Sequence, residues 1–377
     1  MDEHDIRFME HALALARKGI GLASPNPTVG CVIVNDGQIV GEGFHQYDWR
    51  DHAEIVALKS AKELARGATL YVTLEPCSHT GRTGPCIEAI ISAGVRRVAA
   101  AMEDPNPLNA SRGFERLGLT GIEVIKDVCE EKARRLNEAF ACWIRTKKPF
   151  VTLKSALTLD GQLALPQTEK KSARRTGTRN GSEWITSEES RAEVHRMRHA
   201  SDALLTGIGT ILADDPLLTD RSDIQRRRKL LRVVLDSKLR LPLQSRIVET
   251  ADDDLLIFTT ASLKSAKAQK LQDAGIEIVQ LTSKGGRFDL RAVLTELGRR
   301  EILSVLLEAG PTLNGAALAG DIVNKLFLFY APKIAGVNRV PLALAPSLAL
   351  PPLRNIRTQG FGPDVAFEAY LRDVFRD

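Results

Sequence analysis

Aromatic side chains are scarce in this 377-residue chain, at 5% of its residues. With no wide basic face interleaved with aromatics, the chain is not read as a nucleic-acid binder. Cysteine is scarcer still. Cys31, Cys77, Cys86, Cys129 and Cys142 are odd in number and widely spread, which argues against a secreted disulfide framework. No apolar run approaches the ~20 residues that span a bilayer. The start, Met1-Asp2-Glu3-His4-Asp5, is acidic and leads into an amphipathic pattern, so it is not read as a signal peptide. These absences predict a cytoplasmic protein with reduced thiols and no membrane or nucleic-acid partner. Neither sign of charge dominates, the net being +5. The excess traces to Lys170-Lys171-Ser172-Ala173-Arg174-Arg175 and Arg226-Arg227-Arg228-Lys229. Both runs read as solvated loops, with attraction of an anionic substrate or cofactor as the sharper alternative.

What is present is an ordinary globular balance, 44% hydrophobic and 26% charged, in a chain long enough for two domains. Apolar spacing predicts helices at residues 5–18, from His52 and at residues 87–92 and 130–143, with strands between them. Asn35-Asp36-Gly37 is a hairpin signal. Strand and helix alternate, which implies an α/β sandwich with parallel pairing after the first hairpin. Lys147-Lys148-Pro149 marks a boundary, because proline bars helix continuation; the domains are read as residues 1–147 and 148–377. A second alternating series follows, with strands expected near residues 150–156, 203–206, 230–235, 255–259, 276–279, 302–307 and 325–330, and a final strand at 365–371. Residues 165–181 are polar, basic and unpatterned, and read as a surface loop.

The chemistry concentrates in His52-Ala53-Glu54 and Glu75-Pro76-Cys77-Ser78-His79-Thr80-Gly81-Arg82-Thr83-Gly84-Pro85-Cys86. One imidazole and two thiolates can hold Zn(2+) and leave a fourth position for water, which distinguishes a catalytic zinc from a structural one. His52, Cys77 and Cys86 are the expected ligands, with His79 as a competing one. Glu54, two residues past the histidine at a helix start, is placed to act as general base and then general acid. His-x-Glu followed by a Pro-Cys pair marks zinc-dependent base deaminases, though their cysteines are separated by two residues rather than eight. Two other readings stand beside this one: deamination of a nucleic-acid base, and a non-enzymatic structural zinc module.

The second half lacks a Gly-x-Gly-x-x-Gly fingerprint. It offers two weaker turns, Thr206-Gly207-Ile208-Gly209-Thr210 and Glu308-Ala309-Gly310-Pro311-Thr312-Leu313-Asn314-Gly315-Ala316. Each reads as strand, small-residue turn and helix, and together they modestly favour a nucleotide.

The zinc motifs, with Ser24-Pro25-Asn26-Pro27-Thr28-Val29-Gly30 and Asp104-Pro105-Asn106-Pro107, resemble the deaminase half of the bifunctional riboflavin-biosynthesis family. That family is the diaminohydroxyphosphoribosylaminopyrimidine deaminase fused to 5-amino-6-(5-phosphoribosylamino)uracil reductase. The long cysteine spacer is the family's habit. Asn109-Ala110-Ser111-Arg112 departs from its usual glycine-richer loop. The reductase half is resembled by Lys154-Ser155-Ala156-Leu157-Thr158-Leu159-Asp160-Gly161, Trp184-Ile185-Thr186-Ser187, the segment from Asp202 to Pro216, Arg232-Val233-Val234-Leu235-Asp236-Ser237 and the Glu308 turn. The resemblance implies a cytidine-deaminase-like domain followed by a dihydrofolate-reductase-like one. It implies hydrolytic deamination, then NADPH-dependent reduction of a ribosyl group to ribityl, in a homo-oligomer (dimer or tetramer). It implies that Asn26 seats the pyrimidine. Ala156, Trp184, Thr210, Asp214, Ser237, Gly310, Pro311, Thr312, Leu313, Asn314, Gly315 and Ala316 would line the cofactor. Ser182, Arg198, Leu218, Arg221 and Glu308 would line the substrate. Arg198 and Arg221 are expected to grip its phosphate, and Asp214 or Glu308 to supply a proton. An apparent insertion between Gly161 and Trp184 is read as a flap near the phosphate site.

Overall fold

Alternating apolar segments on either side of Lys147 build two separate sheets in the computed structural model. It describes residues 2–79, 84–163, 184–284, 287–336, 340–345, 347, 349 and 351–376. The chain divides into two units, Met1–Lys147 with Gln225–Arg228, and Lys148–Ile224 with Lys229–Asp377. Ser182, the basic run from Lys170 to Arg175 and the expected flap lie outside the described residues, as do residues 80–83.

In the first unit, α1 (Glu3–Arg17) starts at Asp2, whose carboxylate accepts from the His4 N–H as an N-cap. β1 (Gly30–Asn35) and β2 (Gln38–Phe44) form the expected hairpin, with Asp36 and Gly37 both at positive φ. Then follow α2 (Ala53–Ala61), β3 (Thr69–Val72), α3 (Cys86–Ser92), β4 (Arg97–Ala100), α4 (Arg112–Leu119), β5 (Glu123–Ile125) and α5 (Glu130–Thr146). The sheet order is β2-β1-β3-β4-β5. β1 is antiparallel to both neighbours, and β3, β4 and β5 are parallel.

Register explains the layering. Gly30 pairs with Phe44 and Cys31 with Gly43, so Gly30 and Gly43 open onto opposite faces. A Cβ on Gly30 would lie 2.1 Å from the Ala12 carbonyl oxygen of α1, and one on Gly43 2.3 Å from the Ala53 carbonyl oxygen of α2. Missing side chains thus let one helix settle on each face, making an α/β/α sandwich. They also press the first turn of α2, which carries Glu54, against β2. Burial of Met9, Leu13 and Ile33 on the interior contributes roughly 1.5–3 kcal/mol per side chain.

The second unit contains β6 (Phe150–Thr158), α6 (Glu188–Ala200), β7 (Ala203–Gly207), α7 (Ile208–Asp214), β8 (Leu231–Leu235), α8 (Arg246–Glu249), β9 (Leu255–Thr259), α9 (Ala266–Asp273) and β10 (Glu277–Gln280). A short ribbon, β11 (Ser283–Lys284) with β12 (Arg287–Phe288), precedes α10 (Leu290–Arg299), β13 (Ser304–Leu307), α11 (Pro311–Ala319), β14 (Lys325–Ala331), β15 (Arg354–Phe361) and β16 (Asp364–Tyr370). The large sheet has the order β10-β9-β8-β7-β13-β6-β14-β16-β15. It is parallel from β10 to β14 and antiparallel beyond. β9 is buried at every position, as a strand covered on both faces must be.

Several elements escaped the periodicity, the short α8, β11 and β12 among them. α4 contains Gly113 and Gly118, poor helix formers, and holds because Phe114 and Leu117 are buried. α7, by contrast, is the helix expected after the Thr206–Thr210 turn, and it begins at once after β7. β15 is exposed at seven of its eight positions, so no alternation announces it; its pairing with β16 makes it a strand. Among the described residues no helix is long and apolar enough to cross a membrane.

Candidate active sites

β1 and β3 bring two loops together at the N-terminus of α2. His52 is the N-cap of α2 and Glu54 lies in its first turn. Cys77 follows β3, and Cys86 opens α3 after Pro85. The three ligand atoms lie within 4.8 Å of one another. His52 Nδ1 is 3.1 Å from Cys86 Sγ and 3.5 Å from Cys77 Sγ, and the Cys86 N–H donates to Cys77 Sγ at 3.3 Å. His79 is outside this cluster; it is exposed and turns toward Asn109 Oδ1 at 3.4 Å.

The electrostatics of the trio suit a cation. The Cys86 hydrogen bond, then His52, holds the Cys77 thiol down to about 4. That sulfur in turn raises His52 to about 9. Cys86 is pushed up, chiefly by the hydrogen bond to Cys77 and by burial. A thiolate stabilised by a neighbouring proton and a cationic ring is the arrangement a bound metal ion replaces. Glu54 is 4% exposed, and burial raises its carboxyl above the usual range, toward the region where one group can both take and give a proton.

A buried polar scaffold surrounds the trio, and the sequence did not assign it. Glu75, 2% exposed, accepts from the backbone N–H groups of Asp104, Ser111, Gly113 and Phe114. Asn109 is fully buried. Its amide donates to Asp104, and its oxygen accepts from the Ser78 N–H at 3.0 Å and hydroxyl at 2.8 Å. The segment that departs from the family's usual loop therefore braces the one carrying Cys77. Asn26, half-buried, lies 3.0 Å from His45 Nε2, and the His45 ring meets His52 edge-on at 5.3 Å. A histidine seven residues ahead of His52, directly after a strand, was the available signal for His45.

In the second unit the expected residues gather past the C-terminal ends of adjacent parallel strands, where open α/β sheets bind ligands. Ser237 follows β8, Thr210 and Asp214 lie on α7 directly after β7, and Glu308 and Gly310 follow β13. Ala156 lies on β6 beside β13. A Cβ at Gly209 or Gly310 would meet nothing within 4 Å, so backbone at both turns is open to a phosphate. Pro311 starts α11. Pro311 and Leu313 are half-buried, and Thr312 and Ala316 are exposed. Asn314 is fully buried, donating to the Leu342 carbonyl, and a Cβ on Gly315 would fall 2.0 Å from the Leu344 oxygen; both face the interior. Trp184 is 50% exposed beneath the Arg191 guanidinium.

Glu308 is the hub of the charged residues. Arg198 clamps it with Nε at 2.7 Å and Nη2 at 3.1 Å, and Lys154 Nζ lies 3.4 Å away. Arg198 spends Nη1 on the Thr219 carbonyl, next to buried Leu218. The guanidinium expected to grip phosphate is thus engaged inside the protein. Arg221 makes no hydrogen bond or ion pair among the described residues, and burial and the nearby Arg198 lower its pKa, so an anion would stabilise it. Burial works against ionisation of Glu308, but Arg198 and Lys154 outweigh it and hold its carboxyl at about 2. Asp214 goes the other way, its carboxyl pushed up by desolvation although the residue is exposed. Lys154 carried no assignment from sequence; it is the one charged residue of β6, and that was its signal.

Comparison with known proteins covers both units. A family profile described as the cytidine and deoxycytidylate deaminase zinc-binding region matches residues 2–102, and one described as the RibD C-terminal domain matches residues 149–367. Riboflavin biosynthesis protein RibD of Aquifex aeolicus is 43% identical over 89% of this chain and 88% of its own length. That of Escherichia coli is 39% identical over 96% and 98%. The solved structure of Acinetobacter baumannii RibD, form 1, superposes with a TM-score of 0.82 at 36% identity, covering 98% of this chain and 99% of that one. A diaminohydroxyphosphoribosylaminopyrimidine deaminase/5-amino-6-(5-phosphoribosylamino)uracil reductase from Thermotoga maritima gives 0.80 at 35% identity, covering 97% and 98%. The chain belongs to the RibD family of riboflavin biosynthesis, a bifunctional enzyme that deaminates with Zn(2+) and reduces with NADPH.

Proposed function

We propose that residues 1–147 carry the deaminase and residues 148–377 the reductase, with His52, Cys77 and Cys86 holding the zinc and Glu54 moving the protons. The convergence of one imidazole, two thiols and a buried carboxyl on the first turn of α2 carries this reading. When bound, zinc would supply an acidified water at neutral pH. Glu54 would take one proton as the water oxygen bonds to the amino-bearing carbon and give it to the adjacent ring nitrogen; it would then take the proton of the added hydroxyl and give it to the amino group, so that the C–N bond breaks as the C=O forms and ammonia leaves. The brace of Glu75, Asp104 and Asn109 keeps the Cys77 segment in place, and Asn26 seats the pyrimidine. Glu54→Gln should abolish ammonia release while leaving NADPH oxidation on predeaminated substrate intact. Loss of both activities in a folded, zinc-loaded protein would overturn the division of labour.

In the second unit the cofactor would lie along Ala156, Trp184, Thr210, Asp214, Ser237 and the open side of Gly310, Pro311, Thr312, Leu313 and Ala316, with Asn314 and Gly315 supporting that turn from below. When bound, NADPH would supply the hydride for the ribosyl C1′ carbon. Arg221 takes the substrate phosphate, Leu218 flanks it, and Glu308 fixes Lys154 and Arg198 at the reacting end; Ser182 is retained as a substrate residue on the resemblance alone. Because Glu308 is held as an anion, Asp214 is the carboxyl able to deliver a proton. Asp214→Asn should slow NADPH oxidation with little change in substrate KM. The reactions take place in the cytoplasm, where the free thiols survive as metal ligands. The chain assembles as a dimer or tetramer through the reductase half, a reading supported by the exposed edge strand β15 with Ile356 at 54% exposure; light scattering tests it.

A further inference from the structure

We propose that His45 is a positioning residue that fixes which way the Asn26 amide faces, and so what the deaminase site can read. The inference rests on the proposal that Asn26 touches the pyrimidine, and adds why its polarity is set. His45 is 3% exposed. Its Nδ1 lies 3.0 Å from the Asp51 carbonyl oxygen, and its Nε2 lies 3.0 Å from Asn26 Nδ2. A carbonyl can only accept, so the hydrogen of that bond sits on Nδ1. A neutral imidazole with its proton on Nδ1 has a lone pair on Nε2. The lone pair accepts from an N–H, and the Asn26 NH2 group is what faces it. The chain of bonds therefore runs one way: Asn26 donates to His45, and His45 donates to Asp51.

The consequence falls on the other end of the amide. Asn26 Oδ1 makes no hydrogen bond among the described residues, and its backbone is tied down by the Asn26 N–H bond to Ala23 O at 2.9 Å. The backbone N–H of His45 is likewise fixed, to Val29 O at 2.9 Å. Asn26 thus presents an oxygen, an acceptor only, beside a ring packed edge-on against His52 at 5.3 Å. Such an oxygen selects an N–H donor on the pyrimidine and rejects an acceptor at that place. An asparagine free to turn would accept either and discriminate neither. Asp51 takes part through its backbone carbonyl, so the polarity begins in the main chain one residue before His52.

The test is a double-mutant cycle on ammonia release by the zinc-loaded full chain, with reduction of predeaminated substrate and bound zinc measured in each variant. Asn26→Ala should lower kcat/KM roughly tenfold, mainly through KM, the scale of one hydrogen bond. His45→Phe should lower it comparably, and the double variant no further than either single one. His45→Gln should recover much of the loss, because its amide can donate to Asp51 O and accept from Asn26. Multiplying effects, giving roughly a hundredfold loss in the double variant, would show that His45 acts by some route other than Asn26 and overturn the proposal. No effect of Asn26→Ala would instead sink the underlying reading of Asn26 as a pyrimidine contact. Should His45→Phe fail to fold, nitrogen NMR of histidine-labelled wild type decides: a proton on Nδ1 with a bare Nε2 is expected, and the opposite tautomer refutes the chain of bonds.

Discussion

The two halves solve the same problem, gathering polar groups where strands end, in opposite ways. In the first unit the candidate groups come from two short motifs, His52 to Glu54 and Cys77 to Cys86, fixed to the starts of α2 and α3. In the second they come from residues more than 150 positions apart, Lys154 on β6 and Glu308 beyond β13, brought together by a parallel sheet. Metal ligation demands a few donors of fixed chemistry and so leaves a dense signature in the sequence. Holding a dinucleotide and a phosphoribosyl group demands open backbone and distributed charge, and leaves a faint one.

Removing the metal should separate the halves most sharply. Cys86→Ser, or stripping zinc with a chelator, should cut ammonia release by a thousandfold or more, ~4 kcal/mol of barrier, and leave NADPH oxidation on predeaminated substrate unchanged. Parallel loss of both rates would show that the halves are not chemically independent. Next in size is Glu308→Leu, which strands Arg198 and Lys154 without their anion. Breaking a buried ion cluster on one side costs about 3–5 kcal/mol, so the second unit should melt earlier and reduction should fall while zinc content holds. A smaller effect is expected at Gly43→Ala, where the new methyl would meet the Ala53 carbonyl at 2.3 Å. Overpacking of this kind costs about 1–3 kcal/mol, and by shifting the first turn of α2 it should lower ammonia release but not reduction.

The same contrast explains what was legible beforehand. Strand and helix alternation gave most elements of both sheets, because β1, β7, β9 and β14 are apolar segments bounded by turn residues. It missed β15, whose Arg354, Asn355, Arg357, Thr358 and Gln359 carry no face pattern and are strand only by pairing with β16. The trio His52, Cys77 and Cys86 was readable because its residue types have few other uses at that spacing. His45, Asp104 and Asn109 were not, since a histidine, an aspartate and an asparagine in loops serve many ends, and only their hydrogen bonds reveal the brace. Arg198 and Glu308 were both named from the sequence, yet their pairing was not. The bidentate contact with Glu308 joins positions 110 apart, beyond the reach of any local pattern, and it engages inside the protein a guanidinium expected to reach the phosphate.

The smallest expected effect is a pH dependence confined to the second site. Glu308 has its carboxyl lowered from 4.5 to about 2, by the Arg198 and Lys154 charges acting against burial. A carboxyl depressed on folding contributes stability that is fully present above its unfolded value and is lost as pH falls through its folded value. That contribution should therefore be complete above about pH 4.5, shrink below it, and be gone near pH 2. Urea midpoints of wild type and Glu308→Gln, compared from pH 6 to pH 2, isolate it, because groups unaffected by the substitution cancel in the difference. The wild-type advantage should stay level down to about pH 4.5 and then close. A difference that instead widens on acidification would mean that the carboxyl is protonated in the folded enzyme, which would return Glu308 to the list of proton donors and remove the reason for preferring Asp214.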